Sequence, residues 1–367
     1  MGDIIIFSSF LDLLKKEVPN SKIYLAIRSV YLPVSKLFSG IECIFVDLPY
    51  SGEYNEESLN SFLDTLSRIS FHQIIYSTHN CTWIEKEIQK KFPKIQSYSI
   101  SPYFHSFENI QTVEVEEKES EWSKYNKLSS KIFPNSTLKY HYPKVDESIF
   151  TKIDIESLLS SLELRPKEFI CWNPSGIANF TAKNWSIENH ISLIKFYMKN
   201  YNLKVLLIGS DHEREILKSI HSTLPGRFQD RVRMFTNPSE NSLLMTSVLI
   251  HFAKLFIGND TGTTHLAAAL STPVFSFYGG GTWPRFIPLT SQKLIITNQI
   301  HCYGCNWNCN QGSIVCLDSI PFIQVQKYFK VFVDQEGKMD EIVNLKLTPK
   351  RKHKINWIDK VKSYILK

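Results

Sequence analysis

The chain has 367 residues, 43% hydrophobic and 21% charged, too long for one small module and suited to two globular domains with separate cores. No run approaches the roughly 18 apolar residues of a membrane-spanning helix, and Asp3 ahead of the first apolar run, with no basic leader, speaks against a secretory signal. The expected location is the cytoplasm, where disulfides are rare; the net charge of +6 suits an anionic substrate or a membrane surface and is too mild for nucleic acid.

In chain order, "SSFLDLLKKEVPN" carries a helical stripe at Phe10, Leu11, Leu13, Leu14 and Val18 that ends at Pro19. "KIYLAI" and "CIFVDL" read as buried strands, "ESLNSFLDTLSRI" as a helix and "HQIIYST" as a strand. Across residues 105–150, "VEVEEKESEW" reads as a solvated acidic stretch and "YHYPKVDESIF" as a linker. A second unit starts near Lys167 with the strand "EFICWNPSG" and a helix from "SIENHISLIKFYMKNYN", capped by Ser186. "KVLLIGS", "LFIGND" and "PVFSFYG" follow as strands, with "HEREILKSIHSTL" and "GTTHLAAALS" as helices. Such alternation predicts parallel sheets covered by helices, with ligands beyond the carboxyl ends of the strands.

Three loops at such ends carry chemistry. In "GNDTGTTHLAAAL" a strand delivers Asn259 and Asp260, and the turn Thr261, Gly262, Thr263, Thr264 opens a helix with His265 in its first turn. A helix N-terminus offers unpaired N–H groups and partial positive charge to a phosphate; an ordinary capped helix is the competing reading. In "NPSGIANFTAKNW", Lys183 follows a polar segment and suits a leaving diphosphate, or is a plain surface lysine. In "IGSDHERE", Asp211 or Glu213 past Gly209 suits ribose hydroxyls, or caps the helix. Together the loops describe a nucleoside diphosphate site. The P-loop and the GxGxxG fingerprint are both missing from the sequence.

"GD" at residues 2–3 with the apolar helix behind it, "NPSG…KNW", "LLIGSDHE" and "DTGTTHLAAAL…PVFSFYG", in this order, resemble glycosyltransferase family 9, the heptosyltransferases of bacterial cell-surface assembly. The resemblance implies an α/β GT-B fold: two Rossmann-like domains facing a central cleft, here without the first strand that usually precedes Gly-Asp. The expected division is an acceptor-binding domain 1–160, a nucleotide-sugar domain 161–330 and a helical tail 331–367. It implies inverting transfer of a heptose or related sugar from an ADP-linked donor to a saccharide such as lipopolysaccharide core, with no catalytic metal. Asp3 would be the general base and Lys183 the diphosphate holder. Asp260, Thr261, Gly262, Thr263, Thr264 and His265 would line the donor, and Gly209 and Asp211 its ribose end. Asn179 and Thr181 would stand in for the hydroxyl residues usual before the lysine. Alternatives are a protein O-heptosyltransferase acting on an autotransporter-type protein and a non-catalytic protein that keeps the fold.

Four of the seven cysteines, Cys302, Cys305, Cys309 and Cys316, fall in "CYGCNWNCNQGSIVC". Four thiols this close suit tetrahedral zinc or iron, and some members of the resembling family, including ones that modify autotransporter proteins, carry a metal-holding cysteine segment here. Such a site would be structural; unligated thiols packed in a loop are the competing reading. Cys43, Cys81 and Cys171 read as core thiols. The basic tail "PKRKHKINWIDKVKSYILK" reads as a helix packed onto the first domain, or lying on an anionic membrane surface beside a lipid-linked acceptor.

Overall fold

Phe169–Asn173 is buried at every position, as a strand must be when helices cover both faces of a parallel sheet. The computed structural model describes residues 1–49, 55–79, 82–104, 107–176, 181–236, 238–239, 241–309 and 313–347. In chain order the strands are β1 Tyr24–Ile27, β2 Glu42–Phe45, β3 Gln73–Tyr76, β4 Gln96–Ser99, β5 Ile110–Thr112, β6 Phe169–Asn173, β7 Lys204–Ile208, β8 Val232–Phe235, β9 Phe256–Asn259, β10 Val274–Tyr278, β11 Lys293–Thr297 and β12 Asp340–Asn344. Every pairing is parallel. β1–β2 and β3–β4–β5 form two small sheets, and the other seven strands form one sheet in the order β12-β11-β10-β9-β6-β7-β8.

The chain divides into a smaller unit, Phe7–His141, and a larger one, Met1–Ile6 with Tyr142–Lys367. The boundary expected at 160 lies inside the helix Ile155–Ser161. Residues before it are tied into the larger unit: the Val145 amide donates to the Ala269 carbonyl at 3.1 Å. Likewise β12, within the expected tail, closes one edge of the large sheet beside β11. The tail from residue 348 onwards, with its expected helix, lies outside the described residues, as do Cys81 and Asn179.

The helix Gly2–Glu17, whose first residues belong to the larger unit and the rest to the smaller, starts well before the expected stripe and buries Phe10, Leu11, Leu13 and Leu14. The stretch read as solvated and acidic runs into the helix Glu121–Ile132, where Ser120 Oγ accepts the Ser123 amide at 3.2 Å. Cys43 is half-buried rather than a core thiol, because the alternation on β2 turns Ile44 to the core and Cys43 to the opposite face; Cys171, on β6, is fully buried.

The larger unit has its core between sheet and helices, around Trp172, Trp185, Phe275, Phe277 and Phe329. The rings of Trp185 and Phe277 stack with centroids 4.1 Å apart. Ser186 caps the helix Ile187–Asn200 as expected, accepting the Asn189 amide at 3.2 Å. β6, β7 and β8 step outward to one side; the chain then returns to lay β9 on the other side of β6 and continues through β10 and β11 to β12. The winding therefore reverses between β6 and β9. At such a reversal the loops after the two strands part, leaving the crevice in which open parallel sheets bind ligands.

Candidate active site

Register sets the loops at the reversal. Asn173 of β6 faces Gly258 of β9, so the chain leaves both strands at neighbouring points. Asn259, wholly buried, then joins the loops: its Oδ1 accepts the Trp185 amide at 3.0 Å, and its Nδ2 donates to the Pro174 carbonyl at 3.1 Å. Oδ1 also lies 3.3 Å from Nε2 of buried His190, whose Nδ1 lies 3.2 Å from the indole nitrogen of Trp172. An indole N–H only donates, so Nδ1 accepts and Nε2 carries the proton. Burial pushes His190 down to about 3, which keeps this neutral tautomer.

Past Asn259, Asp260 is 3% exposed and meets the Lys183 ammonium at 3.1 Å. Burial raises the pKa of Asp260, the lysine opposes the rise, and the charge of exposed Asp3 adds to it. Lys183 stands at the end of a short 3-10 turn, Thr181–Lys183, and its side chain stays 20% exposed, reachable by a solute. Next, Thr261 adopts an extended conformation and starts the helix Gly262–Ala269. Its carbonyl accepts the Thr264 amide at 3.1 Å, so the amides of Gly262 and Thr263 precede the first intrahelical bonds and carry the positive end of the helix. The hydroxyls of Thr261 and Thr263 pair at 2.8 Å, while Thr264, buried, spends its hydroxyl on the Asn259 carbonyl. His265 is also buried and pushed down to about 3 by burial, the lysine charge and the chain's amino terminus. Gly2 lies against its ring, where a Cβ would come within 2.8 Å.

The third loop separates its two acids. Asp211 is about half exposed and pairs with Arg214. Glu213 turns inward: Oε2 accepts the Ser210 amide at 2.7 Å and hydroxyl at 2.8 Å, a capping box, while Oε1 is buried with no partner among the described residues. Glu213 packs at 3.2 Å from where a Cβ on Gly209 would sit. Asn173 Oδ1, Ser175 Oγ and Asn184 Oδ1 are likewise buried without a described partner. Buried polar atoms are rarely left unpaired, so the loops after β6 and β7 present unspent hydrogen-bonding capacity. These three residues are absent from the expected site, although each lies within or beside the "NPSG…KNW" motif.

The family model of glycosyltransferase family 9 (heptosyltransferase) matches residues 103–312, more than half of the chain. The chain belongs to glycosyltransferase family 9. It is 31% identical over 122 residues to lipopolysaccharide heptosyltransferase 2 of Salmonella typhimurium, an alignment covering 33% of this chain and 34% of that relative. The chain thus spans about a third of the length of the curated relative it matches. Among solved structures, a family 9 glycosyltransferase from Veillonella parvula superposes with a TM-score of 0.73 at 16% identity, covering 91% of this chain and 95% of that one. ADP-heptose lps heptosyltransferase II of E. coli gives a TM-score of 0.68 at 17% identity, covering 91% and 96%. These establish the GT-B fold of family 9 heptosyltransferases for the chain. The matched residues contain the loops at 173–185, 209–213 and 259–265, whereas Gly2 and Asp3 lie ahead of them.

The cysteine segment packs after β10. The Gly304 amide donates to the Gly280 carbonyl at 2.6 Å, and the Gly280 amide donates to Cys316 Sγ at 3.4 Å. Cys302, Cys305, Cys309 and Cys316 line one cavity with Tyr303, Trp307 and Ile314. Burial pushes Cys316 up to about 11 and raises Cys302, and the Cys309 thiol donates to the Ser313 carbonyl at 2.9 Å. Among the described residues, no group of three or more His, Cys, Asp or Glu is arranged to hold a metal ion.

Proposed function

We propose that the protein transfers a heptose or related sugar, with inversion, from an ADP-linked donor to a cell-surface saccharide such as lipopolysaccharide core. The observation that carries this reading is the Lys183–Asp260 pair beside the Gly262–Ala269 helix start, at the reversal of a parallel sheet. An ammonium and a helix start at the end of one sheet supply the kinds of donor a leaving diphosphate needs, with the Met1 side chain packed against Gly262 moving aside to admit it. Asp260 holds Lys183 in place; Thr261, Gly262 and Thr263 contact the phosphates. Glu213 is the better ribose acceptor than Asp211, because its buried Oε1 is unspent while Asp211 is turned to solvent and Arg214. Neutral His265 adds no charge to compete with the lysine.

In the reaction the acceptor hydroxyl oxygen bonds to the anomeric carbon and the bond from that carbon to the diphosphate oxygen breaks. ADP leaves and the hydroxyl proton passes to the carboxylate of Asp3, whose neighbour Gly2 lies against the His265 ring. Among the described residues no helix is long and apolar enough to cross a membrane. In this reading the enzyme acts in the cytoplasm and meets a lipid-linked acceptor at the membrane face. The cysteine segment holds a structural zinc or iron through Cys302, Cys305, Cys309 and Cys316. The donor types suit such an ion, being four thiols on one cavity; they are not arranged around an ion among the described residues, so binding requires the thiols to draw together and to lose their protons, the one Cys309 shares with Ser313 included. A protein hydroxyl is the competing acceptor, kept in view by that segment.

A transfer assay with ADP-heptose on wild type, Lys183→Ala and Asp3→Ala tests the reading. Loss of the lysine should weaken donor binding and lower kcat together, by about 10²-fold or more. Asp3→Ala should bind donor normally and lose roughly 10²- to 10⁴-fold in kcat. A wild-type protein that binds no ADP-heptose would refute the donor, and one that binds without turnover would point to a non-catalytic role.

A further inference from the structure

One side chain joins the cysteine segment to the diphosphate loop. The Lys183 ammonium lies 5.6 Å from the ring centroid of Trp307, within the range at which an indole face attracts a cation. The same ammonium is 3.1 Å from Asp260. The lysine is therefore held by a carboxylate on one contact and an aromatic ring on another.

The backbone under Trp307 is unusual. Asn306 and Trp307 take φ of +49° and +63°, two successive left-handed residues without a glycine between them. A bulky residue there is an outlier that surrounding structure must impose. The imposition is visible: the Asn308 amide donates to the Cys305 carbonyl at 3.0 Å and the Asn306 amide to the Gly281 carbonyl at 2.8 Å. The indole lies directly on Gly281, where a Cβ would fall 2.0 Å from the ring. The indole also packs against the core of the larger unit, so the turn and the bare glycine hold the ring in one place, with the Lys183 ammonium over it.

We propose that Trp307 is a positioning residue for Lys183, and that the turn at residues 305–308 which carries it braces this lysine beside the diphosphate-binding turn. The inference rests on the reading that Lys183 meets the donor diphosphate. A lysine carries a long flexible stem and a strongly hydrated head. Between Asp260 and the indole it has few conformations left, so little ordering remains when an anion arrives.

Two measurements separate this inference from the reading beneath it. First, competitive acetylation with acetic anhydride, read by mass spectrometry, gives the reactivity of each lysine without any nucleotide. In Trp307→Ala the Lys183 rate should rise roughly three- to thirty-fold relative to wild type, and in Trp307→Phe it should stay close to wild type. Buried Lys293, paired with Asp340 at 2.6 Å, serves as the reference for general loosening. An unchanged Lys183 rate overturns the proposal, and so does a rise that Lys293 shares. Second, titration with ADP should show Trp307→Ala weakening affinity by a similar factor in the wild-type background and by nothing in a Lys183→Met background. Equal weakening in both backgrounds overturns the proposal. Should the wild-type chain bind no ADP, the donor reading falls, and the acetylation rates still decide the role of Trp307.

Discussion

Asn259 joins more of the site than any charged residue does, yet makes no contact that a motif would advertise. It accepts the Trp185 amide, faces His190 and donates to the Pro174 carbonyl, fixing the loops after β6 and β9 to each other. Asn259→Ala strands the Trp185 N–H and the Pro174 C=O in a buried place. Each unpaired buried group costs about 1–3 kcal/mol, so urea unfolding should show the variant less stable by roughly 2–4 kcal/mol. A loss below half a kilocalorie would mean that water reaches the loops. The charged and small residues were legible as residue types: Lys183, Asp260 and the Thr-Gly-Thr turn were expected at one end of the sheet, and Lys183 does meet Asp260 beside the helix start. The network behind them was not, because Asn259 depends on partners 69 to 85 positions away in sequence, His190 among them. The motif offered Asp211 or Glu213 and the resemblance chose Asp211; burial separates them the other way, with Glu213 turned inward as the capping acid and Asp211 towards solvent.

At the scale of elements, the central strands were legible and several others were not. β6, β7, β9 and β10 are buried on both faces, so they read as apolar runs. β12, "DEIVN", lies at a sheet edge with its first three residues exposed, and carries no such signal. β4, "QSYS", is polar although mostly buried, because Ser97 Oγ hydrogen-bonds Gln89 Oε1 at 3.1 Å instead of meeting apolar neighbours. The cysteine segment was legible as a cluster, and its docking against Gly280 and Gly281 was not. Four thiols on one cavity make a specific expectation about content. Protein purified without chelator should carry one equivalent of zinc or iron per chain by elemental analysis, and Cys302→Ser or Cys316→Ser should lose most of it. Less than half an equivalent in the wild type would leave the segment as a packed thiol loop. The Cys316 thiol of a metal-free segment would then label slowly at neutral pH, since burial holds it at about 11.

For the whole molecule, two neutral histidines buried beside the candidate-site loops tie global stability to pH. His190 and His265 are both pushed down to about 3 by burial, against an ordinary value near 6.5 in an unfolded chain. Below about pH 6.5 the unfolded chain takes up protons that the folded one refuses. Their contribution is therefore complete above the unfolded value and is lost as pH falls from about 6.5 towards 3, the interval between the two values. Linkage gives about 2 kcal/mol per histidine between pH 7.5 and 5. Asp260 acts in the opposite sense, since a raised carboxyl is better tolerated in acid, so the raw pH profile mixes both. A difference measurement isolates the histidine. Equilibrium unfolding of wild type and His190→Gln at pH 7.5 and at pH 5 should show the variant losing about 2 kcal/mol less than the wild type across that interval, whatever its absolute stability. Equal losses would mean that His190 is protonated in the folded protein. Its Nδ1 could then no longer accept from Trp172, and the link from the core through Asn259 to the loop carrying Lys183 would have to be redrawn.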